Sequence, residues 1–315
     1  MNMETRTREV YWILGSLLAA VSVASVVGFL LRRAKPDNGA VANLNARIRA
    51  WWIIILVGGG ALLAGRLPII LLFAFVSFLA LREFVTQAPV RRADHSALFL
   101  CFFVALPVQY VLIAIGWYGL FSIWIPVYGF LGLAVVAAVF TDTQRFLDRT
   151  AATQWGLIVC VYCVSHIPAL MTLTIPGYES RTPLLMVFLV LITQLSDIFQ
   201  YIWGKLLGRH PLAPAISPSK TVEGLIGGLL SATLFGALLW QITPFTMWQA
   251  AAMALLIATL GFLGGLVMSA IKRDRGIKDW SQLIEGHGGM LDRIDSLCFS
   301  APVFFHLTRY FFSQT

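Results

Sequence analysis

Ten apolar runs divide this chain, at about 10–31, 50–65, 67–81, 97–115, 117–140, 154–176, 183–203, 222–241, 247–269 and 296–313. Most reach the roughly 17–25 residues that a helix needs to cross the hydrocarbon core of a bilayer. In that solvent every backbone N–H and C=O must be satisfied internally, which leaves helices or closed barrels. Long, uniformly apolar runs without strict alternation read as helices. The predicted fold is all-α, a polytopic integral membrane protein with about ten transmembrane helices. Composition agrees: 58% of the residues are hydrophobic and 12% charged, against about 45–50% and 25% in soluble domains. A soluble globule, a disordered chain and a fibrous repeat are excluded. The second and third runs are short and split only by Gly65 and Arg66; they read as a re-entrant segment or one bent pair. The first run spans 22 residues, beyond a signal-peptide core, and lacks a small-x-small cleavage site, so it reads as a retained helix. Residues 1–49 are then a lone helix with a polar connector at 32–49, and 50–315 form one membrane-embedded domain.

With ten spans and an outside N-terminus, the loops at 32–49, 82–96, 141–153, 204–221 and 270–295 share one side. They hold 18 of the 23 Lys and Arg residues, which makes that side cytoplasmic and favours a bacterial inner membrane. The net charge of +8 fits loops facing an anionic leaflet and a polyanionic substrate rather than nucleic acid. Cys160 and Cys163 form a C-x-x-C without a second such pair, and they read as helix packing. His95, His166, His210 and His306 read as packing or interfacial residues.

Charge is scarce, so its location is informative. Residues 269–295 hold 11 of the chain's 43 ionisable side chains, five of them Lys or Arg and five acidic. Cations at that density can neutralise phosphates, and carboxylates among them can hold a bridging divalent metal. Gly286, Gly288 and Gly289 around His287 let backbone N–H groups approach an anion. Asp292 and Asp295 are three apart, on one face of a helix that begins there. A second cluster runs from Ser196 to Gly228. Asp197 ends an apolar helix, where an acid is costly and therefore functional by default. Lys205 and Arg209 lie among glycines, and Ser217-Pro218-Ser219-Lys220-Thr221 leads into Glu223 and another helix, whose N-terminus favours anions.

These two clusters resemble the phosphatidate cytidylyltransferases (CDP-diacylglycerol synthases). The hallmark of that family has a Ser, then Lys-Arg, Lys-Asp, His-Gly-Gly and Asp-Arg-x-Asp. Here they are Ser269, Lys272-Arg273, Lys278-Asp279, His287-Gly288-Gly289 and Asp292-Arg293-Ile294-Asp295. The earlier cluster matches through Asp197, Tyr201, Gly204-Lys205, Ser217-Pro218, Lys220-Thr221 and Glu223-Gly224. The likeness covers the C-terminal 120 residues clearly. It implies that residues 50–315 form a cytidylyltransferase domain with cytoplasmic catalytic loops, which transfers CMP from CTP to phosphatidate and releases pyrophosphate. It also implies Mg²⁺ on Asp292, with Asp197 or Asp295. Lys272, Arg273, Lys278 and Arg293 would hold the triphosphate and the lipid phosphate, and Asp279 falls within the same catalytic motif. His287, Gly288 and Gly289 would shape the nucleotide pocket. Lys205, Ser217, Lys220 and Glu223 would line the substrate side. Membrane lipid is the expected surrounding, no nucleic acid is expected, and a homodimer is an assembly the resemblance allows.

Two departures stand out. Glu285 occupies a position where the family has Pro, Gly or Ser. Gly264-Gly265 replaces a Gly-Asp pair whose acid is a metal ligand, so metal binding is weaker unless Asp279, Asp292, Glu285 or Asp197 compensates. The competing readings are a CTP-dependent enzyme for another lipid phosphate and a catalytically silent lipid-binding relative. Asp292→Asn is expected to abolish turnover with stability near wild type.

Overall fold

The computed structural model describes residues 3–140, 142–179, 181–283 and 288–314, with side chains from Glu9 onward. Ten long helices fill it: α1 (Met3–Ala34), α2 (Gly39–Ala64), α3 (Arg66–Gln87), α4 (Arg92–Ile115), α5 (Tyr118–Phe140), α6 (Phe146–Thr172), α7 (Pro183–Leu207), α8 (Val222–Leu238), α9 (Met247–Asp274) and α10 (Leu291–Phe312). Eight of them are long and apolar enough to cross a membrane. The other two are α8, with 17 residues, and α10, whose first turns carry Asp292, Arg293 and Asp295. A short antiparallel hairpin, β1 (Pro211–Ala213) and β2 (Ser217–Thr221), joins α7 to α8. The chain is an all-α integral membrane protein.

The second and third apolar runs are a pair of helices meeting at a break, not a short re-entrant segment. They belong to helices of 26 and 22 residues. The break between them is Gly65, at φ 109°, a backbone state that glycine adopts without a Cβ penalty. Arg66 then closes the end of α4 by donating to Ile113 O at 2.6 Å and Ala114 O at 3.2 Å. The polar connector at 32–49 also shrinks. Asn38 caps α2 through Ala40 N at 2.9 Å, so residues 39–49 are its opening turns. Apolar content alone understated these helices, because their ends carry the charged residues Arg47, Arg49, Arg82 and Glu83.

Helix α1 lies at the edge, with 6% of its apolar window buried. It docks on α2, where Asn45 Nδ2 donates to Gly28 O at 3.1 Å and Trp52 Nε1 to Ser25 Oγ at 2.9 Å. At its other end Glu9 accepts two bonds from Arg181, at 2.8 and 2.9 Å. The common core sits between α3, α4, α6, α7, α9 and α10, around Leu81, Ile167, Phe188, Phe304 and Phe305. The four cysteines are free and mostly buried, in keeping with a packing role.

Helix α8 lies in close contact with both α7 and α9. Its buried residues are Gly224, Gly228, Ala232 and Gly236, spaced by four so that they form one small-residue stripe. A Cβ on Gly228 would collide with Gln200, including its backbone, and one on Gly236 would collide with Ala254. Gly228→Ala is expected to cost about 1–3 kcal/mol by overpacking. Gly15→Ala, where no atom lies within 4 Å, should cost nothing of that kind. Thermal unfolding of both variants in detergent checks this, and equal melting temperatures would refute the close crossing.

Candidate active site

The polar groups converge at one end of the bundle, where α3, α7, α9 and α10 terminate beside the hairpin. Asp197 on α7 and Asp295 on α10 are 98 residues apart in sequence, yet one serine joins them. Ser296 Oγ donates to Asp197 Oδ2 at 3.2 Å, and Ser296 N donates to Asp295 Oδ1 at 2.7 Å. Behind this group runs α9, where a Cβ on Gly265 would lie 3.4 Å from Ser296 Oγ and 3.5 Å from Lys220 Nζ. The position of the missing acid is therefore the floor of the carboxylate cluster. Lys220 comes in from β2 with its ammonium 4.7 Å above the Phe262 ring. Burial pulls its proton affinity below the ordinary lysine value, while Asp197 and Asp295 oppose that shift. Asp197 is exposed and lies one helical turn from exposed Tyr201 and beside exposed Ile198.

A second group shapes the loop between α9 and α10. Lys272 pairs with Asp292 at 2.7 Å, with their side chains 11% and 4% exposed. The other oxygen of Asp292 accepts from Trp280 N and Gly289 N, both at 2.9 Å. Glu83, from the end of α3, meets the same loop. Its Oε1 accepts from Ser281 Oγ at 2.7 Å and Met290 N at 2.9 Å, and its Oε2 from Leu291 N at 2.9 Å. The motif glycines now have a specific reason. Gly288 holds φ at 80°, and its Cβ would lie 2.8 Å from Asp292 Oδ2; a Cβ on Gly289 would collide with the Glu83 carboxylate. Backbone N–H groups do converge on anions here, but those of Trp280, Gly289, Met290 and Leu291 are taken by the protein's own carboxylates.

The remaining expected residues fall around these two groups. Arg273 ties the hairpin to the loop, donating to Ile216 O at 3.1 Å and Ile277 O at 2.9 Å. Arg293 Nε is buried with no hydrogen-bond partner among the described residues. Lys205, Lys278 and Asp279 are exposed at the rim. Glu223 receives Arg209 N at 3.1 Å and His210 N at 3.3 Å and pairs with the His210 ring, so it stitches the hairpin to α8. Ser217 begins β2 opposite Ala213. His287 and Glu285 lie outside the described residues. The structure thus brings Asp197, Asp295 and Lys220 together, and Lys272, Asp292, Gly288 and Gly289 together. Lys272 lies within electrostatic reach of Lys220 and links the two groups. Sequence reasoning missed Glu83. An acid between Arg82 and Phe84, just past the end of an apolar run, carries the same cost signal that singled out Asp197.

The donor set suits Mg²⁺. Asp197 Oδ1 and Asp295 Oδ2 have no hydrogen-bond partner among the described residues. Mg²⁺ typically takes one or two carboxylates and completes its shell with phosphates and water. No three described His, Cys, Asp or Glu side chains converge into a metal cage, so the remaining ligands would come from substrate and solvent. Asp292 differs, because both its oxygens already have partners.

Helices long and apolar enough to cross a membrane, with carboxylates and cations gathered at one end, define a membrane-embedded protein with a charged site. The chain belongs to the cytidylyltransferase family, whose sequence model matches residues 45–311 and leaves out α1. It is 40% identical over 299 residues to the uncharacterized protein YnbB of Escherichia coli K12, covering 94% of this chain and 97% of that one. It is 39% identical over 130 residues to the phosphatidate cytidylyltransferase of Staphylococcus saprophyticus, and 40% over 130 residues to that of Staphylococcus aureus COL. Those matches cover 40% of this chain and half the length of the staphylococcal enzymes. The activity of this family is CTP-dependent cytidylyl transfer to a lipid phosphate.

Proposed function

We propose that the protein transfers CMP from CTP to phosphatidate on the cytoplasmic side of a bacterial inner membrane, giving CDP-diacylglycerol and pyrophosphate. The observation that carries this reading is the Asp197–Ser296–Asp295 group beside Lys220, with Asp197 on an exposed face of α7. Phosphatidate keeps its acyl chains in the bilayer and brings its headgroup to that face. One of its phosphate oxygens forms a bond to the α-phosphorus of CTP, and the bond to the pyrophosphate oxygen breaks. The attacking phosphate is already ionised near neutral pH, so no general base is needed. Catalysis is then positioning and charge neutralisation.

Asp197 and Asp295 would hold Mg²⁺, which would neutralise charge on the CTP phosphates. Lys220 and Arg293, whose Nε has no hydrogen-bond partner among the described residues, would face the transferring phosphoryl group. Lys205, Lys278 and Arg209 at the rim would draw anionic substrate inward. Lys272 would work through its pairing with Asp292, which sets the loop. The positive-inside distribution supports the cytoplasmic placement. Gly265 favours a second reading, a silent lipid-binding relative, because it withholds a carboxylate from the metal group.

The test is pyrophosphate release by purified protein with CTP, phosphatidate and Mg²⁺ in mixed micelles. Release that tracks formation of a CMP-bearing lipid is the expected result. Release only with a different lipid phosphate would replace the acceptor. Absence of both turnover and Mg²⁺-dependent CTP binding, in a folded protein beside an active reference enzyme, would establish the silent reading.

A further inference from the structure

We infer that Glu83 is a positioning residue for cytidylyl transfer, holding Ser281 and the start of α10 at Met290 and Leu291 in their working positions. The inference rests on the activity proposed above. Glu83 sits on α3, about 200 positions before the loop, and it is 6% exposed. A buried carboxylate is retained only where its lone pairs are met. Here three donors meet it, Ser281 Oγ, Met290 N and Leu291 N, at 2.7–2.9 Å. Ser281 Oγ in turn accepts from Leu283 N at 3.1 Å. Met290 and Leu291 mark the start of α10, so these bonds fix where that helix begins. Asp295 and Ser296 follow within two turns, and the start of α10 sets their approach to Asp197.

Asp292 holds the same loop from inside through Trp280 N and Gly289 N. Trp280 stacks on Phe84, the neighbour of Glu83, with ring centroids 5.3 Å apart. Two carboxylates from distant parts of the chain therefore grip alternate points of one loop. Gly289 is the residue that lets the Glu83 carboxylate come close enough. Among the described residues no hydrogen bond joins Glu83 to Asp197, Ser296 or Asp295, so it acts by position and not on substrate.

Glu83→Gln separates position from fold. The amide keeps the size of the side chain and one acceptor, but it turns an N–H₂ toward a backbone N–H. In full-length protein in detergent, hydrogen exchange of the peptide covering Met290 and Leu291 is expected to quicken about tenfold or more. Exchange in α7 should stay unchanged. The turnover number for CMP transfer is expected to fall about 30-fold, with the KM for phosphatidate within about twofold, since that lipid enters beside α7. A merely structural role would lower melting temperature and active fraction while leaving kcat per folded molecule intact. Should Glu83→Gln not yield folded protein, Ser281→Ala removes one donor and should move exchange and kcat the same way by about threefold. Unchanged exchange would overturn the inference, and so would faster exchange with wild-type kcat. If the wild-type protein transfers no CMP, the proposed activity fails, while the exchange result still decides whether Glu83 holds the loop.

Discussion

Asp292→Asn is expected to remove turnover and about 3–5 kcal/mol of stability together, because it breaks a buried ion pair from one side. Lys272 and Asp292 are 11% and 4% exposed and 2.7 Å apart. The asparagine leaves the Lys272 ammonium buried without a counter-charge. It also presents an amide to an environment made of donors, the Lys272 ammonium and the N–H groups of Trp280 and Gly289. At most one side of that environment can still be satisfied. The spacing of the motif led to the expectation of near-wild-type stability, and the pairing reverses it. Thermal unfolding in detergent with parallel turnover measurements separates the cases. A second variant sharpens the result: Lys272→Met combined with Asp292→Asn should cost less than the sum of the single changes, since the partners share one interaction. Lost turnover with an unchanged melting temperature would instead assign Asp292 to substrate or metal.

The helices and the two charged clusters were legible in the sequence because both follow from local rules. A span needs apolar length, and a charge beside a membrane needs a reason. The ends of α2 and α3 were less legible, since helices continue past the apolar run once Arg side chains can reach water and, for Glu83, once protein donors meet its carboxylate. The division of labour among the acids was not legible at all. Asp292 and Asp295 stand three apart on one helix, yet one is saturated by Lys272 and backbone amides, and the other keeps an oxygen without a partner among the described residues. That difference depends on α9 and on the return of the loop. Glu83 escaped for the same reason, because its partners lie about 200 residues downstream. Likewise, the spacing of Lys205, Lys278 and Asp279 matched the motifs without revealing that all three are exposed.

Asp295→Asn is expected to behave in the opposite way to Asp292→Asn in stability, while matching it in activity. Asp295 Oδ1 accepts from Ser296 N at 2.7 Å, a bond that an asparagine oxygen reproduces. No ion pair to Asp295 within 4.0 Å exists among the described residues, so no cation is stranded. Asp295 also shares Ser296 with a second carboxylate, Asp197, and two like charges held that close oppose the fold, an opposition that the neighbouring Lys220 ammonium offsets only in part. Removing one should leave stability within about 0.5 kcal/mol of wild type or slightly above it. Turnover should fall about 10²–10³-fold if the pair holds the metal that stabilises the transferring phosphoryl group. Raised Mg²⁺ should recover little, because a ligand is lost and not merely weakened. Comparing melting temperature and rate for the two variants therefore distinguishes an acid that shapes the loop from one that meets the substrate. Equal destabilisation by both would return Asp295 to the scaffold and leave Asp197 to carry the metal with substrate phosphates alone.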